Sequence, residues 1–250
     1  CHHKFDLIPS LACDSLHGHT PTQDVNLIEA LQYSCNVYFY YLGWKHLGAG
    51  ILQPWAYNFG YGRPPGIDLP ALPSQSGMLK PADKAREPWQ ACHYAIGQGL
   101  VEATPLQVLR SVAAIAVGGK CLPRPHLVRS SPPDPLKLSN PRTVEVIREG
   151  LWRAGHAPEG TASHDKLRLN RYNAAYKTGT AEVKSGEPPI HNAWLVGFAP
   201  FEKPRIAFVA GVERTPLHGA EAAGPIVEKL LAHFAAKEPG VYLLEKKGGK

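Results

Sequence analysis

The sequence predicts an α+β fold, in which a mainly helical part precedes an antiparallel sheet with a helix packed on it. Apolar residues recur at helical spacing in several segments between residues 24 and 155. Three strand-like segments follow in the last third, and the short turns between them favour pairing as a meander. No internal repeat is visible. We therefore expect a domain over 1–250 with a helical part over 24–155 and a sheet part over 172–236.

The first helical stretch, 27–48, is expected to be broken in its middle. Asn26 can cap its start, and Glu29 three residues on makes a variant of the capping box. The polar break Ser34-Cys35-Asn36 interrupts the apolar stripe, and its Asn36 can cap the second half. The glycines expected to end this stretch are Gly48 and Gly50.

Three further features complete the helical part. A shorter helix is expected over 51–59. The six prolines between 63 and 94 predict a long irregular connection, which in a compact domain is usually functional or held down by its neighbours. Thr104-Pro105 is a typical helix start, with a hydroxyl cap followed by Pro at the first helical position. A last helix is expected near 143–153.

The sheet part should contain strands at 172–183, 192–199 and 205–212, separated by turns with Gly or Pro. Pro225 is expected to open a final amphipathic helix. The residues expected on the buried side of that helix are Ile226, Leu230, Leu231 and Phe234.

Composition excludes several classes of protein. Hydrophobic residues make up 44% of the chain, enough for a sizeable core, and no apolar run approaches the ~18 residues of a membrane span. The net charge of +6 is spread along the chain, so we expect no nucleic-acid partner. The chain begins with Cys1, and its one Met is Met78. We therefore expect it to be processed or to be a piece of a longer protein.

The first twenty residues concentrate cysteine and histidine: Cys1, His2, His3, Cys13, His17 and His19. Zinc accepts such ligands, but their spacing fits no compact zinc module. A Cys1–Cys13 disulfide is a second interpretation in an oxidising compartment. Unpaired thiols are the interpretation that the pattern favours, and whether a metal binds here stays open.

The triplet Lys177-Thr178-Gly179, followed by Thr180, lies in the first predicted strand. Gly179 removes a side chain where a ligand or another backbone could approach closely. Lys177 and the hydroxyls of Thr178 and Thr180 would supply a cation and hydrogen-bond donors around it, which suits a carboxylate. A solvated Lys on an ordinary edge strand is the alternative.

A second motif strengthens the first. Ser34-x-Asn36 offers a hydroxyl for proton relay and an amide that both donates and accepts hydrogen bonds. S-x-N followed by K-T-G makes up two of the three motifs of the serine acyl-transferases that react with penicillin. Helix capping by Asn36 is the alternative interpretation, and it is compatible with function.

With these motifs the sequence resembles the transpeptidase domain of class B penicillin-binding proteins. Further strings match that family in its own order. They are Phe59-Gly60-Tyr61-Gly62, Gly66-Ile67-Asp68-Leu69-Pro70, Ala95-Ile96-Gly97-Gln98-Gly99, Thr104-Pro105-Leu106-Gln107, Gly160-Thr161-Ala162 and Trp194-Leu195-Val196-Gly197-Phe198-Ala199-Pro200. Each string is weak alone, and together they favour the penicillin-binding protein and serine β-lactamase fold.

The nucleophile motif of that family is missing from its expected place. The family carries S-x-x-K some fifty residues before S-x-N, and only 33 residues precede Ser34 here. The one S-x-x-K string is Ser163-His164-Asp165-Lys166, which lies in a polar loop after S-x-N and matches by chance. We therefore expect a partial domain, incomplete at its N-terminus, that is inactive and marginally stable alone.

The resemblance implies a peptidoglycan D,D-transpeptidase that acts on D-Ala-D-Ala stem peptides by serine acyl transfer. Lys177 and Ser34 would relay protons, and Asn36 would hold the substrate amide. Thr178 and Thr180 would bind the terminal carboxylate, and the Thr180 N–H would form half of the oxyanion hole. No cofactor is implied.

The resemblance also implies β-lactam antibiotics as ligands, cell-wall synthesis proteins as partners, and a periplasmic location with an anchor outside this chain. Two alternatives stay open. One is a D,D-carboxypeptidase or β-lactamase-type hydrolase, and the other is a β-lactam- or peptide-binding module without a nucleophile. S-C-N, together with K-T-G-T-A before W-L-V-G-F-A-P, favours the transpeptidase.

Overall fold

The computed structural model describes residues 5–6, 11–13, 24–70, 76–80, 88–128, 131–136, 138, 140–163, 168–184 and 188–244. The helices of the first part are α1 (Leu27–Gln32), α2 (Asn36–Tyr41), a π-helical turn (Leu42–Leu47), α3 (Ala49–Asn58), α4 (Pro88–Ala95), α5 (Pro105–Ala116) and α6 (Pro141–His156). Two short antiparallel pairs join β1 (Met78–Leu79) to β2 (Val101–Glu102) and β3 (Cys121–Leu122) to β4 (Asp134–Pro135).

Two capping boxes start helices where the sequence predicts them. Asn26 and Glu29 exchange side-chain and backbone hydrogen bonds at the start of α1. Thr104 and Gln107 do the same at the start of α5. The Gln107 amide nitrogen also lies within hydrogen-bond distance of the carbonyls of Gly60, Arg63 and Ser76, so its two N–H groups anchor the connection that precedes α5.

Three expectations for the helical part are wrong. Cys35, not Asn36, is the N-cap of α2, because Asn36 already has helical backbone and is the first residue of the helix. Gly50 lies within α3, and Gly48 alone ends the preceding helix. The expected irregular connection contains α4, which begins at Pro88. Proline is well tolerated at the first position of a helix.

The sheet confirms the predicted meander. Its strands are β5 (Ala175–Lys184), β6 (Ile190–Ala199) and β7 (Ile206–Thr215), which pair antiparallel in the order β5-β6-β7. Helix α7 (Gly219–Lys237) covers one face, and α8 (Pro239–Tyr242) follows it. Helices α5 and α6 pack on the other face. The expectation of an α+β fold is therefore confirmed.

The start of the final helix differs from the expectation. Helix α7 begins at Gly219, and Pro225 lies inside it. Ile226 is 50% exposed and Leu230 is 39% exposed, so both lie outside the buried stripe. That stripe recurs every four residues and begins with small side chains, which a search for large apolar residues overlooks. Its members are Gly219, Ala223, Val227, Leu231 and Ala235.

The core under α7 is the largest apolar cluster of the described chain. Tyr176 of β5, Leu195 of β6 and Phe208 of β7 pack there against Val227 and Leu231. This packing holds strands β5 and β6 against α7. The same two strands form one side of the groove described below. Among the described residues, no helix is long and apolar enough to cross a membrane.

Candidate active site

Ser34 lies in a strained turn between α1 and α2. The N–H of Cys35 donates to the Ala30 carbonyl at 2.9 Å, and the N–H of Ser34 donates to the Leu31 carbonyl at 3.3 Å. This pair of bonds is the Schellman motif, which places the residue after the helix cap in the left-handed region. Ser34 has a φ of 54° there, where Gly is the usual residue. The Ser34 hydroxyl is therefore positioned by a backbone conformation that is unfavourable for a non-glycine residue.

Lys177 meets Ser34 across 143 residues of sequence. The Lys177 Nζ donates to the Ser34 Oγ at 2.8 Å and to the Thr178 carbonyl at 2.8 Å. Burial lowers the pKa of Lys177 to about 8, because enclosure disfavours the charged amine. About one molecule in ten would then carry a neutral amine at pH 7. The contact therefore joins a hydroxyl to an amine that can take up or release a proton near neutral pH.

A groove of about 790 Å³ opens beside this contact. Lys177 and Gly179 of β5 face it together with their register partners Val196 and Trp194 of β6. Its other lining residues come from α3, from the turn after α4, and from β2 and α5. Groove residues that the sequence did not single out as site residues are Trp55, Phe59, Tyr61, Tyr94, Gln98 and Trp194.

Thr178, Gly179 and Thr180 line the same groove on β5, which is an edge strand of the sheet. The Thr180 Oγ1 accepts a hydrogen bond from the N–H of Gly219 at 3.0 Å. A Cβ atom added at Gly219 would lie 2.4 Å from the Gly179 carbonyl oxygen. Gly219 therefore permits the close approach of α7 to the K-T-G strand, a role that the sequence did not reveal.

The structure places the other predicted residues as follows. Asn36 begins α2 two residues after Ser34, with its side chain partly buried. The Ser163 hydroxyl donates to the Gly160 carbonyl at 2.8 Å, while Lys166 lies outside the described residues. Cys1, His2, His3, His17 and His19 also lie outside them. Within the described part of the chain, no group of three His, Cys, Asp or Glu side chains could hold a metal ion.

The profile of the penicillin-binding protein transpeptidase domain matches residues 11–232, most of the chain. The chain belongs to this family. The profile confirms the motif resemblance, and the relatives reported next confirm its assignment to class B. The S-x-N turn and the K-T-G strand of this family member are the elements that contribute Ser34 and Lys177 to the contact described above.

Curated relatives carry the names of peptidoglycan D,D-transpeptidases. The chain is 27% identical over 240 residues to MrdA of Salmonella typhimurium, covering 84% of this chain and 38% of that protein. It is 31% identical over 242 residues to PbpA of Mycobacterium tuberculosis, covering 89% and 46%. The chain thus spans less than half the length of these relatives.

Solved structures of the family share the fold. Pseudomonas aeruginosa PBP2 in complex with WCK 5153 matches with a TM-score of 0.74 and 28% identity, covering 92% of this chain and 52% of that one. Helicobacter pylori PBP2 in complex with MreC matches with a TM-score of 0.72 and 31% identity, covering 85% and 41%. These matches confirm the predicted fold class.

Proposed function

We propose that this chain is the substrate-binding portion of a peptidoglycan D,D-transpeptidase domain that acts on D-Ala-D-Ala stem peptides by serine acyl transfer. One observation carries the proposal: the 2.8 Å hydrogen bond from Lys177 to Ser34 at the edge of the groove. The names of the relatives support the same activity. We propose that 24–155 forms the helical part of this domain and 172–236 its sheet part.

In the proposed reaction, a serine outside this chain attacks the carbonyl between the two D-Ala residues. The C–N bond of that amide breaks, terminal D-Ala leaves, and an amine on a second stem peptide later takes the acyl group. Lys177 and Ser34 pass a proton to the departing amine, a role that suits a lysine of lowered pKa. Asn36 holds the amide of the substrate.

The terminal carboxylate of the donor peptide would bind at the edge of β5. Thr178 and Thr180 supply hydroxyl donors there, and the Thr180 hydroxyl keeps its proton for donation because its oxygen already accepts the Gly219 N–H. The Thr180 N–H would supply half of the oxyanion hole. Gly179 leaves the groove face of the strand open for the peptide backbone.

We propose that the chain is catalytically inactive alone. Its S-x-x-K string, which includes Ser163, follows S-x-N instead of preceding it. Incubation of the 250-residue chain with a fluorescent penicillin should therefore give no covalent band after denaturing electrophoresis. A complete relative serves as the positive control. Covalent labelling of any serine in this chain would contradict the proposal.

Reading the coding DNA upstream of Cys1 separates the candidate functions. An S-x-x-K about twenty residues upstream, preceded by a membrane anchor, would support the transpeptidase. A start codon near Cys1 would instead support a binding module without a nucleophile. A hydrolase of the carboxypeptidase or β-lactamase type would share the upstream motif, and product analysis with an added acceptor amine would distinguish it.

The family resemblance extends to ligands and location as proposals. The Pseudomonas aeruginosa and Helicobacter pylori structures contain WCK 5153 and MreC, respectively. We propose β-lactams as ligands of the completed domain and a cell-wall synthesis protein as its partner. We place the domain on the periplasmic face of the bacterial inner membrane, anchored by a segment outside this chain.

A further inference from the structure

Two buried cysteines meet beside the S-x-N turn. The Sγ atoms of Cys13 and Cys35 lie 3.6 Å apart, and the two side chains are 8% and 0% exposed. The Cys13 Sγ also accepts a hydrogen bond from the N–H of Val37 at 3.4 Å. Cys13 therefore contacts both the N-cap of α2 and its first turn.

We propose that Cys13 and Cys35 are joined by a disulfide that fastens the segment 11–13 to the S-x-N turn. Bond formation requires the sulfur atoms to approach from 3.6 Å to about 2.05 Å. Such bonds persist in oxidising compartments, so the expectation of oxidation rests on the proposed extracytoplasmic location.

The chemistry requires an oxidant, which we take to be a small or protein disulfide. The thiolate of one cysteine attacks a sulfur of that disulfide and releases one thiol. The thiolate of the other cysteine then displaces the second thiol, and the Cys13–Cys35 bond forms. The two cysteines lose two electrons and two protons, and the oxidant becomes two thiols.

The timing of the reaction follows from burial. The Cys13 hydrogen bond and desolvation raise the pKa of Cys35 in the folded chain, which suppresses the reactive thiolate. Oxidation should therefore occur before Cys13 and Cys35 are buried, during folding. Cys13, Ala30 and Cys35 form a buried apolar cluster. Once formed, the bond is shielded from soluble reductants by this cluster.

The disulfide would constrain the S-x-N turn at its central residue. Cys35 stands between Ser34 and Asn36, and Ser34 occupies a left-handed conformation that the surroundings must enforce. A covalent link at Cys35 restricts the neighbouring backbone. The disulfide would thus preserve the position of the Ser34 hydroxyl against Lys177.

Peptide mapping of the 250-residue chain tests the link directly. The protein is folded with oxidised glutathione, alkylated in denaturant without reductant, and digested. Trypsin releases a peptide spanning 5–45 that holds both cysteines, and Glu-C divides it after Glu29. We expect the halves 5–29 and 30–45 to remain joined until dithiothreitol separates them.

Internal controls make the result decisive. Cys13, Cys35, Cys92 and Cys121 are all thiols in this structure. We propose no bond for Cys92 or Cys121, so these two should be alkylated in the same sample without reductant. Alkylation of both Cys13 and Cys35 would overturn the proposal, as would a cross-link from Cys13 to Cys1. This mapping is independent of penicillin binding, so it can fail while the proposed transpeptidase function stands, or succeed while that function fails.

Thermal unfolding supplies a second test. Cys13→Ala and Cys35→Ala should each lower the melting temperature by about 5 °C or more, and the double variant should fall no further than the lower of the two. Reduction in denaturant, followed by refolding with reductant present, should lower the wild-type value and leave both variants unchanged. Cys121→Ala, at a partly exposed thiol, should retain the effect of reduction. Equal sensitivity of Cys13→Ala and the wild type to reduction would overturn the proposal.

Discussion

Ser34 combines a conformational cost with a long-range side-chain contact. Its φ of 54° completes the Schellman turn after α1, and its hydroxyl accepts a hydrogen bond from Lys177. A glycine would adopt this backbone without strain but would offer no hydroxyl.

Ser34→Gly and Ser34→Ala form a matched pair that measures this cost. Both remove the hydroxyl, but only Gly tolerates the left-handed backbone freely. We expect the Gly variant to be more stable than the Ala variant by about 1 kcal/mol in urea unfolding. Equal stability, or a more stable Ala variant, would contradict the assigned turn geometry.

Lys177 predicts a pH dependence of stability. Its pKa of about 8 in the folded chain lies below the value of about 10.4 for an unfolded lysine. Below pH 8 both states hold the proton, so the folded state bears the full cost of enclosing the charge. Between these values the unfolded state binds more protons, and stability rises with pH.

Lys177→Met should remove that contribution. The variant should gain stability over the wild type at pH 7, and the gain should shrink as the pH rises from 8 towards 10.4, as measured by urea unfolding across that range. Lys203→Met changes an exposed lysine and should keep the wild-type slope. A constant difference between Lys177→Met and the wild type would refute the lowered pKa.

At the scale of elements, a buried charge holds β4 against α5. Arg110 is 3% exposed and pairs with Asp134, which also binds Arg124. The hydrogen bond from Arg124, together with that from Arg110, lowers the pKa of Asp134 to about 2. Loss of the carboxylate would leave the Arg110 guanidinium buried without its compensating charge.

Asp134→Asn should therefore lower the free energy of unfolding by about 3 kcal/mol. Glu149→Gln is the matched control, since it breaks the exposed pair with Arg153 on α6 and should cost under about 0.5 kcal/mol. Chemical denaturation of both variants measures the contrast. Similar losses from the two substitutions would show that the Arg110 pair contributes no more than a surface pair.

The contact between α7 and β5 depends on Gly219. An added Cβ would lie 2.4 Å from the Gly179 oxygen and 2.7 Å from the Trp194 oxygen, and neither backbone atom can move cheaply. Gly219→Ala should cost about 2 kcal/mol and displace Thr180, visible in its amide chemical shift. Gly50→Ala adds a Cβ in open space on α3 and should be neutral or stabilising.

Local chemistry made some elements predictable and left others hidden. The capping boxes at Asn26 and Thr104 depend on residues three apart, so the sequence displays them. The start of α7 depends on small residues that pack only because β5 lies beneath them. The motifs in the sequence identified Ser34 and Lys177 as candidates. Their contact could not be predicted in the same way, because it forms only when the sheet is folded.

At the scale of the whole molecule, the family motifs predicted the overall fold more accurately than the sequence pattern predicted the ends of individual helices. Their order along the chain fixes which segments form the helical part and which form the sheet. The contact between Ser34, in the turn after α1, and Lys177 of β5 then follows from the fold. What the motifs could not provide is packing detail, such as the exposed Ile226 on α7.

The outer edge of β7 has a consequence for handling the protein. Within the described chain β7 pairs with β6 alone, so its other edge offers a row of amide and carbonyl groups to any extended segment. Self-association through that edge should grow with concentration, and size-exclusion chromatography over a dilution series would reveal it. Purification at low concentration, or a charged substitution along this edge, should keep the chain monomeric for every measurement proposed above.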